Sequence, residues 1–403
     1  MIKAVVKLRE KSAFKYFFRE TDWILYLMCV AASVFGAFMV YSATYHSLDE
    51  GEFMVRDCIS TVLGSAMGIV ICLVVSYIDY EFMMRLSVAI GTVCLLLMFS
   101  LFIWGEAPSN RSDAICWLRF GSLSFQPSEL VKIGFIITFS THLDAVKQDI
   151  NSLKNILLVC LHGAIPTGLV VITGDVGSAL VFAVIFVGLM FLSGVNLRYF
   201  AVAIVAGIIA LPVLWVTFFS EYQKQRFLAI YYPEALSESV YDKIIYQQER
   251  GVNAIGSGMF FGDGYLNGTY TQSGGVPVSE SDMIFSVIGE ELGFIGCMAA
   301  LAVIAVIIFR MISNGKKSRN FSGYLLCSGI ALMLGSQAVI NIGMCLKLLP
   351  CIGITLPFLS SGGSSILCIY IGIGVALSVY RYNANRDPVS FRVRNISTPF
   401  KET

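Results

Sequence analysis

Chemistry-bearing side chains concentrate in PVSESDMIFSVIGEELGFIG, Pro277 to Gly296, where a polar stretch gives way to an apolar one. Asp282 stands at that junction. Ser279 at an N-cap with Asp282 three residues on would make a capping box, and an acid in a first helical turn suits the helix dipole. The same carboxylate, held between water and lipid, could take a proton from a hydroxyl as a general base does. The two roles are compatible. Glu290 and Glu291 follow about two turns deeper in the apolar run, where a charge near mid-bilayer costs ~2.5–3.5 kcal/mol or more, so each needs protein or water beside it.

Three further clusters have both structural and chemical readings. In WLRFGSLSFQPSELVK, Trp117 to Lys132, Pro127 suits the first position of a helix and Glu129 and Lys132 form an i,i+3 pair. That pair either pins the helix start or also sets the potential of a polar cavity. In TGDVGSAL, Thr173 to Leu180, Asp175 is placed to cap a helix within a very short turn and is also a candidate substrate-binding or cavity residue. In LPFLSSGGSSIL, Leu356 to Leu367, Ser360 to Ser365 and the paired glycines offer backbone N–H groups at a helix start, which caps satisfy and an anion such as a diphosphate would also fit, the more so with Lys347 nearby. The glycine-rich GSGMFFGDGYLNGTYTQSGG, Gly256 to Gly275, lacks the order of a nucleotide-binding phosphate loop. Its backbone can instead turn sharply and approach another surface. Three histidines, His46, His142 and His162, supply no H-E-x-x-H, and eleven cysteines without C-x-x-C spacing indicate neither a zinc site nor a disulfide framework.

The elements that must position these residues are membrane helices. The chain is 56% hydrophobic and 14% charged, outside what a soluble domain tolerates. A net charge of +1 gives no indication of nucleic-acid binding. A span needs roughly 20 mostly apolar residues, and ten such runs occur: Trp23 to Tyr45, Cys58 to Tyr80, Leu86 to Gly105, Pro127 to Leu143, Ile156 to Thr173, Gly177 to Val195, Tyr199 to Phe219, Met283 to Ile312, Phe321 to Cys345 and Ser364 to Arg381. The expected fold is therefore an all-α polytopic membrane protein in one domain, residues 1–403, with a long structured outer loop, residues 220–282, between spans seven and eight.

Lysines and arginines set the orientation. Lys3, Lys7, Arg9, Lys11, Lys15 and Arg19 precede the first span, whereas Asp49, Glu50, Glu52 and Asp57 follow it with only Arg56. Both ends are then cytoplasmic, and the basic residues Lys147, Lys154, Arg198, Lys316, Lys317 and Arg319 fall on the same side as the tail residues Arg381, Arg386, Arg392, Arg394 and Lys401. The basic start leads into a full-length span, so a retained first helix is expected rather than a cleaved signal.

In this order and layout the clusters resemble the SEDS family of bacterial cell-wall polymerases, which includes RodA, FtsW and SpoVE. The resemblance rests on YSAT (Tyr41 to Thr44), FQPSELVK (Phe125 to Lys132), DVGSAL (Asp175 to Leu180), AIGSGMFFGDGYLNGT (Ala254 to Thr269), SDMIFSVIGEELGFIG (Ser281 to Gly296), INIGMCLKLLP (Ile340 to Pro350) and LPFLSSGGSS (Leu356 to Ser365). It implies a peptidoglycan glycosyltransferase of the bacterial cytoplasmic membrane, slightly more RodA-like, that polymerises lipid II on the outer face. It implies Asp282 as the catalytic base, Glu129 and Lys132 as residues of the cavity, dependence on a divalent cation (Mg2+ or Mn2+) with no ligand set evident, and a class B penicillin-binding protein as partner transpeptidase. Arg226, Arg250, Lys347, Ser360 and Ser364 are candidates to meet the leaving diphosphate. The chain departs from the family pattern at Cys116, Thr173-Gly174, Arg250-Gly251 and Ser361. Two other classes stay open: a flippase for lipid-linked precursors or an ion-coupled carrier, for which charges within spans would serve a path, and a non-catalytic scaffold of the elongation or division machinery.

Overall fold

The computed structural model describes residues 20–45, 55–107, 114–121, 123–217 and 219–385. Part of the basis for orientation, Lys3 to Arg19, Asp49, Glu50, Glu52 and the tail from Arg386, lies outside the described residues, as does His46. The helices are α1 (Trp23–Tyr45), α2 (Val55–Ser76), the short α3 (Tyr80–Arg85), α4 (Ser87–Trp104), α5 (Pro127–Ala145), α6 (Leu153–Ile172), α7 (Val176–Leu192), α8 (Leu197–Thr217), α9 (Glu221–Tyr231), α10 (Glu238–Ser257), the short α11 (Thr269–Gln272), α12 (Ile284–Lys316), α13 (Phe321–Cys345) and α14 (Gly363–Asn385). Each of the ten expected spans coincides with a helix. Among the described residues eight are long and apolar enough to cross a membrane, namely α1, α2, α4, α6, α8, α12, α13 and α14. The other two differ for identifiable reasons: α7 is 17 residues long, and α5 carries Glu129, Lys132, His142 and Asp144 along its 19. Both pack on α13 in the bundle.

The protein is thus a multi-pass helical membrane protein. One departure from an all-α fold is a three-stranded antiparallel sheet of β1 (Gly105–Glu106), β2 (Trp117–Phe120) and β3 (Leu123–Phe125), with Leu118 opposite both Gly105 and Phe125. Strands of two to four residues leave no alternating pattern long enough to read.

Packing is closest between α2 and α14, where small residues let the backbones meet. A Cβ on Gly64 would come within 2.7 Å of the Gly363 Cα, and one on Gly374 within 2.8 Å of the Cys72 carbonyl oxygen. A second apolar cluster gathers Met39, Val40, Ala254, Met283, Ile284, Phe285, Val287, Ile288, Leu356 and Leu359. It joins α1, α10, α12 and the segment before α14 beneath Asp282. By contrast, no residue of α8 whose side chain is described is buried.

The eighth expected span is not one continuous helix. Gly293 adopts φ 66°, ψ −163° and breaks α12, and the glycine-rich stretch inserts there. The helical bonds from Phe294 and Ile295 to the carbonyls four residues back are replaced. Instead Phe294 N donates to Met259 O (3.0 Å) and Ile295 N to Phe260 O (3.3 Å), while Glu290 O accepts from Asp263 N (2.9 Å) and Glu291 O from Gly264 N (3.0 Å). Side chains are excluded at this contact: a Cβ would lie 2.1 Å from Gly289 O at Gly258 and 2.2 Å from Glu291 O at Gly262. Residues 294–316 alone, at 1.5 Å per residue, measure about 34 Å, more than the ~30 Å hydrocarbon core.

Candidate active site

Asp282 lies half-buried in a turn whose backbone is fastened at three successive carbonyls. Glu280 O accepts from Ser361 N (2.7 Å), Ser281 O from Ser360 Oγ (2.6 Å), and Asp282 O from Asn341 Nδ2 (2.8 Å) and the Cys345 thiol (3.5 Å). Ser360 Oγ also accepts from Leu356 N (2.7 Å), and Asn341 Nδ2 donates in addition to Ile354 O (2.7 Å). The expected capping box is absent. Helix α12 starts at Ile284 after Met283, and Ser279 Oγ donates to Ala43 O (3.4 Å) instead. The cause is the turn at Val278, which has φ 56° and accepts from both Ser281 N and Met283 N (3.2 Å each). A positive φ at a β-branched residue costs of order 1–3 kcal/mol and persists only where its surroundings over-determine it.

The neighbours of Asp282 make its surroundings acidic. Burial pushes the Glu280 carboxyl up, a hydrogen bond to its own backbone opposes this, and the carboxylates of Asp57 and Asp282 add to the rise. Among the described residues no three His, Cys, Asp or Glu side chains gather as a metal ligand set.

Glu129 and Lys132 form the expected pair, Lys132 Nζ donating to Glu129 Oε1 at 2.7 Å with Lys132 fully buried. The second carboxylate oxygen faces Ser365 Oγ (3.4 Å) and Gln337 Nε2 (3.5 Å). The pair thus links α5 to the starts of α14 and to α13. Asp175 caps α7 by accepting from Ser178 N (3.1 Å) and also holds the start of α5, through Gln126 Nε2 (2.8 Å) and Ser128 Oγ (3.2 Å).

Of the three candidate cations, Arg226 bonds to the segment after α13 and Lys347 belongs to it. Arg226 donates to Cys351 O and to Tyr222 Oη, both at 2.5 Å. Lys347, at φ 58°, donates to Glu249 Oε1 (2.9 Å) and Tyr241 Oη (3.3 Å). Its ammonium is raised overall: burial pulls it down, and the Glu249 and Tyr241 bonds outweigh that. Arg250 lies over the Tyr246 ring at 5.3 Å. Ser360 is committed to the Asp282 turn, and Ser364 is half-buried in the first turn of α14.

Several residues outside the candidate set turn out to build this site. Asn341, Glu280 and Gln248, whose Nε2 donates to Met344 O and Leu349 O (2.8 Å each), all act through long-range backbone contacts. INIGM gave Asn341 a place in a motif; nothing local reveals its partner. The departures have structural accounts. Ser361 serves through its backbone N–H, Thr173 O accepts from Ile115 N (2.8 Å), and Cys116 is buried at the edge of β2. Gly251 is required where α10 crosses α12, since a Cβ there would lie 2.2 Å from Met283 Cε. Glu290 accepts from Tyr270 N (2.5 Å), Thr271 N (2.9 Å) and Thr271 Oγ1 (2.6 Å); Glu291 Oε1 accepts from Ser42 Oγ (2.5 Å) and Gln272 Nε2 (3.0 Å). Both carboxylates thereby tie the inserted loop to α12 and α1.

The helical membrane bundle is the fold of a known class. The FtsW/RodA/SpoVE family model, described as "Cell cycle protein", matches residues 22–385, and the chain belongs to that family. Curated relatives include the peptidoglycan glycosyltransferase MrdB of Escherichia coli K12, 29% identical over 90% of this chain and 94% of the relative. The probable peptidoglycan glycosyltransferase FtsW of Geobacter metallireducens is 32% identical over 89% of this chain and 94% of its own length. Among solved structures, a chain of a peptidoglycan synthase complex that coordinates polymerization and crosslinking superposes with a TM-score of 0.75 at 24% identity, covering 91% of this chain and 99% of that one. RodA of Thermus thermophilus does so with a TM-score of 0.66 at 23% identity, over 91% and 98%. These neighbours share the fold.

Proposed function

We propose that this chain, a peptidoglycan glycosyltransferase by its family and curated relatives, polymerises lipid II at the outer face of a bacterial cytoplasmic membrane with Asp282 as general base. The observation that carries the base is the triple fastening of the Glu280, Ser281 and Asp282 carbonyls, which holds one carboxylate at the mouth of a membrane bundle. The acceptor sugar hydroxyl attacks the anomeric carbon of the donor glycan as its C–O bond to undecaprenyl diphosphate breaks. Asp282 takes the hydroxyl proton, for which it must come within about 3 Å of that oxygen or one water away. Negative charge grows on the departing diphosphate, and Arg226, Arg250, Lys347 and the turn from Ser360 to Ser364 are the groups proposed to meet it. Most of the three cations' present bonds are to neutral oxygens or a ring, so a diphosphate can compete for them. Magnesium or manganese is proposed to accompany the substrate diphosphate and would help to neutralise its charge.

The orientation proposed, with both ends cytoplasmic, is supported by the gathering of Arg310, Lys316, Arg319 and Arg381 at the end of the bundle opposite Asp282. A penicillin-binding transpeptidase is the proposed partner, in keeping with the complex that supplies the structural neighbour. The test is lipid II polymerisation by Asp282→Asn protein, with the partner present if needed. Glycan chains should be lost while thermal unfolding stays that of the parent; polymerisation at the parental rate would remove Asp282 from the role of base.

A further inference from the structure

The loop spliced into α12 bears a patch that the proposed reaction does not use. Met259 and Phe261 are 78% and 79% exposed, and with Phe260 they continue onto Phe294, Ile295 and Met298 of α12. Phe260 packs 5.6 Å from Phe261 and 5.4 Å from Phe294 between ring centroids. The same helix presents Phe309 farther along, so the patch is continuous with a surface that must face lipid if α12 spans.

Depth follows from the helix itself. Arg310 is bonded to Asp22 at the opposite end of the bundle, and from Phe294 to Arg310 the rise is about 24 Å. The tip beside Phe294 then stands within or at the margin of a ~30 Å hydrocarbon layer. Irregular backbone is tolerated there only when its polar groups are answered inside the protein. The splice answers four of them on α12, Met259 O, Phe260 O, Asp263 N and Gly264 N, and Gly262 N bonds to Gly258 O at 2.7 Å. Charge begins only at Asp263, beyond the aromatic tip.

We propose that the tip Met259-Phe260-Phe261 is immersed in the lipid leaflet on the Asp282 side, with acyl chains as its partner, and so anchors the loop that braces α12. This rests on the membrane fold and not on the reaction assigned to Asp282.

The test places a photoreactive benzophenone amino acid at position 261, and separately at 259, in the full chain reconstituted without partners in phosphatidylethanolamine–phosphatidylglycerol vesicles. Mass spectrometry reads the adducts, with position 298 as the lipid-facing reference and position 234 as the water-facing one. Lipid adducts at 261 and 259 approaching the yield at 298, and at least tenfold above 234, are expected. Yields at both tip positions equal to that at 234 would overturn the proposal, as would adducts to a second copy of the chain in place of lipid. Lipid labelling at 259 alone supports it, because a fold disturbed by the change at 261 leaves the 259 variant as an independent reading.

Discussion

Glu280 and Asp282 are separated by one residue, and burial, with the charge on Asp282 adding to it, raises the Glu280 carboxyl. A carboxyl raised in the folded state binds its proton more tightly there than in the unfolded chain. Stability then falls as pH rises from the ordinary carboxylate range through the folded value, and above that the full cost persists. Glu280→Gln removes that cost. The variant should be more stable than the parent at neutral pH, with the gain vanishing in acid, as thermal unfolding against pH will show. Losing a like charge also eases ionisation of Asp282, so the acid limb of the polymerisation–pH profile should move to lower pH. An unmoved limb would mean that Glu280 does not act on the base. The pair at Glu129 and Lys132 poses the opposite problem, a buried attraction. Lys132→Met leaves Glu129 buried and without its cation, at a cost of about 3–5 kcal/mol, whereas Glu129→Gln with Lys132→Met should recover much of that loss. Denaturation in detergent compares them. Both sites were partly legible: the i,i+3 spacing of Glu129 and Lys132 is local, and so was visible. The fastening of Asp282 was not, because Asn341, Ser360 and Ser361 arrive from 59 or more residues away.

At the scale of elements the break in α12 shows what periodicity conceals. Residues 284–312 read as one largely apolar span despite Glu290, Glu291 and Arg310, and Gly293 within EELGFIG reads like any mid-helix glycine. The glycine-rich stretch signalled a close backbone approach, and that much holds; its partner, the interior of a helix, is non-local and left no trace in spacing. A Cβ at position 293 would lie 2.4 Å from Gly262 N in a backbone with φ 66°. Gly293→Ala therefore combines strain with a backbone clash, each of a kind that costs of order 1–3 kcal/mol. The expected outcome is a fall of that size or more in unfolding free energy, with faster amide exchange at Asp263 and Gly264, whose bonds depend on the splice. Parental exchange at those amides would show that the helix accommodates a side chain without releasing the loop. The short sheet escaped notice for a different reason, its strands being too brief to carry a pattern.

Across the whole molecule, hydropathic length made the helices legible, since the energy of crossing lipid is summed over one contiguous segment. What it could not supply is which helices are pinned together. Helices α1, α2, α12 and α14 are joined at the end opposite Asp282: Asp22 accepts from Arg310 Nη2 (2.7 Å), Arg310 Nε (3.2 Å) and Asn314 Nδ2 (2.6 Å), while Arg381 Nη2 donates to Thr21 Oγ1 (2.7 Å) and Ser378 Oγ to Ile78 O (2.6 Å). At the other end Ser42 and Glu291 join α1 to α12 independently of that cluster. Two separate fastenings along one helix pair should contribute to stability additively, because they share no partner and stand more than 10 Å apart. Asp22→Ala strands the guanidinium of Arg310, which is about a quarter exposed, so the loss should fall at the lower end of the range for broken buried pairs, about 3 kcal/mol. The contacts that hold Asp282 involve none of these residues. The variant should therefore unfold at lower temperature yet polymerise lipid II with parental KM and kcat when assayed well below its transition. A kcat that falls in proportion to stability, even in the cold, would show instead that the two ends of the bundle are coupled and that the carboxylate is positioned by the whole assembly of helices rather than by the turn that carries it.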